Sequence, residues 1–188
     1  MIRRLPVGFV MAVALVTGMA GSAMGASGSW ITNAAGNWSI AGNWEGGTIA
    51  DGAGATAWFT NNITAARTIT INTNSRTLGI LNIGDADNTH SFTIAASGGA
   101  SLTFTNNGTN AQLNQTATSK GDTISAQIAL TAPLDISNAS VNALTLSGVN
   151  NFTNGIIIKA GTVKGTVANA FGASSNVITI GDNGGAAN

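Results

Sequence analysis

The sequence predicts an all-β fold of stacked short strands, a β-solenoid, and three observations predict it. From Asn61 onward, short apolar-Thr-apolar alternations recur about every one to two dozen residues. Gly and Asn punctuate them, and no stretch carries helical periodicity. Only 7% of residues are charged while 44% are apolar, so the chain has surface to bury and little charge to hold it open.

The chain begins with a leader. Met1-Ile-Arg-Arg4, the apolar run Val7 to Met19 and the small residues Ala20 to Ala26 read as a secretory signal peptide over residues 1–26. Ala23 then stands at the minus-three position of a cleavage after Gly25. A membrane anchor would instead call for about 20 apolar residues without this small polar tail. Cysteine is absent, which excludes disulfides, thiolate metal sites and lipid attachment to a thiol. No second apolar stretch long enough to span a bilayer follows Ala26, so any anchoring module is expected outside this sequence.

The formal charge is zero, and without Arg3 and Arg4 five bases face seven acids, a charge near −2. Phosphate binding needs clustered cations, whereas Arg67, Arg76, Lys120, Lys159 and Lys164 are scattered singly. Nucleic acid and anionic membrane surfaces are therefore not expected as partners. The Gly-rich stretch Gly181 to Gly185 lacks the Lys and following helix of a phosphate cradle, which excludes a nucleotide on the same ground.

Residues 27–60 have a texture of their own. Trp30, Trp38, Trp44 and Trp58 are the only tryptophans, interleaved with Gly36, Gly42, Gly46, Gly47, Gly52 and Gly54. They are expected to form an N-terminal cap, because an uncovered first coil would present core and strand edges to other chains. The competing reading is an aromatic platform for stacking sugars, and exposure of the rings decides between them.

Residues 61–188 are expected to be the solenoid. Arg67-Thr-Ile-Thr-Ile-Asn72, Ser91-Phe-Thr-Ile94, Ser101-Leu-Thr-Phe104, Asn142-Ala-Leu-Thr-Leu146 and Val177-Ile-Thr-Ile180 each bury every second residue and turn Thr outward. Leu78 to Ile83 and Ile156 to Ile158 are more continuously apolar and suit strands covered on both sides. Asn107-Gly108, Asn154-Gly155 and Asn183-Gly184 supply residues that tolerate positive φ at the turns. A sandwich or a barrel is also compatible with such strands, and spacing alone does not choose.

The segment Leu144-Thr-Leu-Ser-Gly-Val-Asn-Asn-Phe-Thr-Asn-Gly-Ile-Ile-Ile-Lys-Ala-Gly-Thr-Val163, followed by Ala170-Phe-Gly172, resembles the autotransporter-associated β-strand repeat. Asn154 stands where that pattern has a first Gly, and Phe171 where it has Leu. Trp30, Gly36-Asn37-Trp38, Asn43-Trp44 and Gly46-Gly47 are similar to the beginning of large exported proteins that carry such repeats. The resemblance implies a right-handed parallel β-helix from a bacterial surface or secreted passenger, followed by further repeats and then a barrel or a sorting tail. The sequence is accordingly expected to be truncated at its C-terminus, with an open last coil prone to self-association. In such a repeat Gly148, Gly155 and Gly161 would serve the corners. Leu144, Leu146, Phe152, Ile156 or Ile157, and Val163 would point inward.

Catalytic chemistry finds little footing. Parallel β-helices include polysaccharide lyases and hydrolases, but Glu45, Asp51, Asp85, Asp87, Asp122, Asp135 and Asp182 are mostly far apart in sequence. Asp85-Ala-Asp-Asn-Thr-His90 is the tightest polar group and offers oxygen ligands for Ca²⁺ or an imidazole for a transition metal. It lacks a complete loop signature and reads as a solvated turn. His90 is the sole histidine, and its neighbour Ser91 does not converge with it as a triad would. Sequons at Asn37, Asn62, Asn107, Asn114, Asn138 and Asn151 arise by chance in an Asn- and Thr-rich chain, and the bacterial source that the repeat resemblance implies gives them no role.

The expectation is a structural or adhesive exported rod with no catalytic, cofactor or metal residues. Its expected partners are extracellular polysaccharide or other cell surfaces. A carbohydrate-active β-helix enzyme is the alternative.

Overall fold

The computed structural model describes residues 24–181, and most of the leader, residues 1–23, lies outside them, as do Asp182 and Asn183-Gly184. The first strands along the chain are β1 (Gly28–Ser29), β2 (Gly36–Asn37), β3 (Thr56–Phe59), β4 (Arg67–Ile71), β5 (Arg76–Leu78) and β6 (Ile80–Ile83). Then come β7 (Phe92–Ala96), β8 (Ser101–Phe104), β9 (Ala111–Gln115), β10 (Thr123–Ile124) and β11 (Gln127–Leu130). The remainder are β12 (Leu134–Asn138), β13 (Leu144–Leu146), β14 (Ile156–Ala160), β15 (Val163–Gly165) and β16 (Ile178–Ile180). Among the described residues helix is confined to two 3-10 turns, Ala41–Asn43 and Glu45–Gly47.

All strand pairs are parallel, and antiparallel contact is limited to isolated bridges such as Trp30 with Trp44. That excludes the sandwich and barrel built from hairpins. The long sheet runs β1-β3-β6-β9-β12-β14-β16, the second β2-β4-β7-β10-β13-β15, and the short third β5-β8-β11. Each turn of the chain thus visits successive faces and returns one rung higher. The result is a parallel β-solenoid.

Register measures the coils. Along the long sheet Gly28 pairs with Ala57, Ala57 with Leu81, Leu81 with Leu113, Leu113 with Ile136, Ile136 with Ile158 and Ile158 with Ile180. The steps are 29, 24, 32, 23, 22 and 22 residues. The dozen-residue end of the spacing read from the sequence is close to the distance between strands and the two-dozen end to the length of a coil, because a coil contains two or three strands.

Alternation does what its period implies. Ile69, Ile94, Ile124 and Leu146 stack inward on the second sheet, and Leu78, Phe104 and Leu130 on the third. Between the inward positions Thr68, Thr93, Thr123 and Thr145 form a ladder on the outside. Each buried aliphatic side chain contributes about 1.5–3 kcal/mol, and stacking lets one coil cover the next. Leu78 to Ile83 is not one strand covered on both sides. Leu78 ends β5 pointing into the core, whereas Ile80 begins β6 on the half-buried outer face, with a corner made by Gly79 between them. A Cβ on Gly79 would meet Asn106 Oδ1 at 2.6 Å and Gly54 Cα at 2.7 Å, so the corner requires glycine. Nor is Ile156 to Ile158 covered on both sides. Ile156 points inward and Ile157 is half-buried on the outer face.

The Trp and Gly segment closes the first coil. Trp30, Trp38 and Trp44 are 0–1% exposed and pack around Phe59 with ring centroids 4.9–5.7 Å apart. Their indole N–H groups donate to the carbonyls of Thr32, Ala50 and Trp38, so burial strands none of them. Gly25 and Ala26 already bond to Ala53 and Asp51, and β3 is a rung of the long sheet. Trp58 differs from the other three, since its ring lies on the outer face.

Trp38→Ala is expected to lower stability by about 3–5 kcal/mol in urea denaturation, whereas Trp58→Ala changes it by less than about 0.5 kcal/mol.

Candidate functional site

Two places concentrate polar side chains, one inside the solenoid and one on its long outer face. The inner one grows out of the corners. A backbone N–H in a corner or on the edge of the short third sheet has no ladder partner, and a buried N–H needs one. Here the partner is an Asp or Asn of the neighbouring coil. Ile63 N–H donates to Asp85 Oδ1 at 2.9 Å, Phe92 N–H to Asp122 Oδ1 at 2.7 Å, and Ile128 N–H to Asn150 Oδ1 at 2.7 Å. Gly155 N–H donates to Asn176 Oδ1 and Thr77 N–H to Asp51 Oδ1, both at 2.9 Å.

Between the third and fifth coils these bonds merge into a seam. The inward column Phe59, Ile83 continues as Gln115 and Asn138. Gln115 Oε1 accepts the Asp122 N–H, and its Nε2 donates to Asn138 Oδ1 and the Asn142 carbonyl. Asn138 Nδ2 reaches the Asn142 and Thr162 carbonyls at 2.8 Å. Ser140 Oγ and Asn142 Nδ2 donate to the Ser119 carbonyl, and Ser119 Oγ donates to Asp122 Oδ2. Bonding of this completeness permits burial of so many polar groups.

The Asp85 to His90 group belongs to this scheme. The structure corrects the reading of a solvated turn at Asp85, which is fully buried, while Asp87 is exposed and His90 half-buried. Asp85 Oδ2 accepts from the Thr89 and His90 N–H groups at 3.1 and 2.9 Å. Burial alone would raise the Asp85 carboxyl. The Ile63 and His90 N–H groups, with the Asp87 side chain and Thr89 N–H, outweigh it and hold the group well below the ordinary carboxylate range. Among the described residues no three His, Asp or Glu side chains gather as a metal site.

Asp122 goes the other way. Burial pushes its carboxyl up to about 6, against the Ser119 hydroxyl and Phe92 N–H that favour the anion, and the Asp85 charge adds to the rise.

The remaining acids stand apart. Asp51 pairs with Arg76 at 2.8 Å, and Asp135 with Lys159 at 2.6 Å and Asn110 at 2.9 Å. Two open hollows, one of about 320 Å³ by Phe171 and Ile178 and one of about 270 Å³ by Leu130 and Phe152, have no charged residue in their walls.

The outer face of the long sheet carries the second concentration. In register along it stand Ser29, Trp58, Asn82, Asn114 and Ser137, beside Thr56, Ile80, Gln112 and Asp135. Asn114 Nδ2 donates to Asn82 Oδ1 at 3.1 Å. Trp58 is 38% exposed, and among the described residues its indole N–H has no acceptor. No expectation from the sequence separated Trp58 from the other three rings. Only strand parity does so, and the apolar neighbours Ala57 and Phe59 obscure it.

No family model, curated protein or solved structure matches the chain.

Because folding raises the Asp122 pKa, the folded protein keeps a proton between pH 4 and 6 that the unfolded chain has released. Stability therefore falls as pH rises through that window, by about 3 kcal/mol at most, and stays lower above it. Asp122→Asn is expected to remove this slope in urea unfolding and to raise stability at pH 8 but not at pH 4. Asp122→Ala lowers stability at both, by about 1–3 kcal/mol, because the Phe92 N–H loses its acceptor.

Proposed function

We propose that this chain is a non-catalytic exported rod, a passenger segment of autotransporter type that displays its outer faces to extracellular polysaccharide or other cell surfaces. One observation carries the reading: the buried and half-buried acids are each engaged in holding the solenoid together. Asp85 and Asp122 accept backbone N–H groups, Asp51 accepts one and pairs with Arg76, and Asp135 pairs with Lys159. Glycoside cleavage needs two carboxyls across one bond in an open cleft. Asp85 and Asp122 share a corner on adjacent coils but are buried and engaged by backbone N–H groups, and Asp51 and Asp135 lie on other elements in ion pairs.

The surroundings meet Thr, Ser, Asn and Gln on long ungrooved faces, which suits distributed contact. The residues that carry the repeat resemblance supply β13, β14 and β15. Export rests on the leader read in residues 1–26. Self-association belongs to the same proposal. On β16, Ile178 and Ile180 are exposed, the latter at 83%, beside Val177, and such an edge pairs readily with another copy.

Incubation with neutral and acidic polysaccharides, followed by assay of reducing ends and unsaturated sugars, is expected to show no turnover above the blank. Robust release of either product would overturn the reading in favour of a lyase or hydrolase.

A further inference from the structure

The geometry points to a binding site for an uncharged, extended glycan chain on the outer face of the long sheet, with Trp58 as its stacking platform and Asn82 and Asn114 as its hydrogen-bonding rungs. This rests on the reading of the rod as a display scaffold and names the ligand class and the residues.

Trp58 departs from the rule that governs the other rings. Trp30, Trp38 and Trp44 are buried with every indole N–H bonded, whereas Trp58 leaves both a ring surface and a donor to solvent. A large apolar ring exposed on a sheet otherwise faced with hydroxyls and amides costs solvation unless something covers it. The C–H face of a pyranose is apolar and its rim is hydroxyl, the combination that a ring flanked by polar groups accommodates.

The residues in register with Trp58 complete the match. Asn82 is one rung away and Asn114 two, at about 4.8 Å per rung, a spacing comparable with one sugar unit of an extended chain lying along the solenoid axis. The bond from Asn114 Nδ2 to Asn82 Oδ1 orients both amides. Among the described residues it leaves Asn82 Nδ2 as a free donor and Asn114 Oδ1 as a free acceptor, a pair that serves hydroxyls. Ser29 and Ser137 extend the column at either end.

Charge selects the class. The column holds no charged residue, and the nearest acid beside it, Asp135, is neutralised by Lys159 at 2.6 Å. With Lys159 held by Asp135, uronate or sulfated chains find no unpaired cation there, whereas an uncharged chain loses nothing. A flat sheet also favours β-linked chains, whose equatorial substituents leave the pyranose faces open.

The test uses cellohexaose, read by calorimetry and by protection of tryptophan emission from acrylamide, whose accessible fraction belongs to Trp58. Cellohexaose is expected to shield that fraction, and polygalacturonate is not. Trp58→Ala should weaken binding about tenfold or more at an unchanged melting temperature, and Asn82→Ala with Asn114→Ala by a smaller factor. Absence of binding at millimolar cellohexaose, or equal binding by W58A, would overturn the site while leaving the display rod standing. Shortening of cellohexaose by the protein would overturn the non-catalytic reading and this proposal together.

Discussion

Corners and sheet edges of a stacked parallel coil interrupt the hydrogen-bond ladder, and buried N–H groups there are left facing an interior without water. In this protein the acceptor comes from the neighbouring coil. Asp85 serves Ile63, Asp122 serves Phe92 and Asn150 serves Ile128, across 22, 30 and 22 residues. A charged or amide oxygen placed there replaces a lost strand bond, and it makes each coil depend on the one stacked beside it. Gln115, Asn138, Ser140 and Asn142 extend the same logic into a continuous inner seam. That seam also explains why so few charges suffice for the fold.

The consequence for function is a division of labour between inside and outside. Asp85 and Asp122 accept backbone N–H groups inside, with opposite effects on protonation. The outer faces are free of structural duty, so their side chains are what a partner meets. Thr dominates the second sheet, while the long sheet presents amides and the exposed indole of Trp58. The Trp30, Trp38 and Trp44 cluster closes one end of the stack around Phe59, so the rod's apolar interior is not open there.

Much of the fold was legible because it is local. Period-two alternation gave the strands and their outward Thr. Asn107 and Gly108 do take positive φ, at 47° and 90°, whereas at Asn154-Gly155 only the glycine does. What stayed hidden depends on register between coils. Asp85 looks like part of a solvated turn until Ile63, 22 residues earlier, is placed beside it. Leu78 to Ile83 looks like one buried strand because a corner glycine does not interrupt its hydropathy. The stripe of Trp58, Asn82 and Asn114 is spread over 56 residues, with steps of 24 and 32, so no window of sequence contains its pattern.

The central claim is that buried Asx side chains carry the solenoid from coil to coil at its corners. Amide hydrogen exchange at Ile63, Phe92 and Ile128 tests it most directly, read against core-strand amides such as Ile69 and Leu81. The account predicts that the corner amides exchange as slowly as those strand amides. Exchange as fast as at the exposed turn residue Asn88 would contradict it.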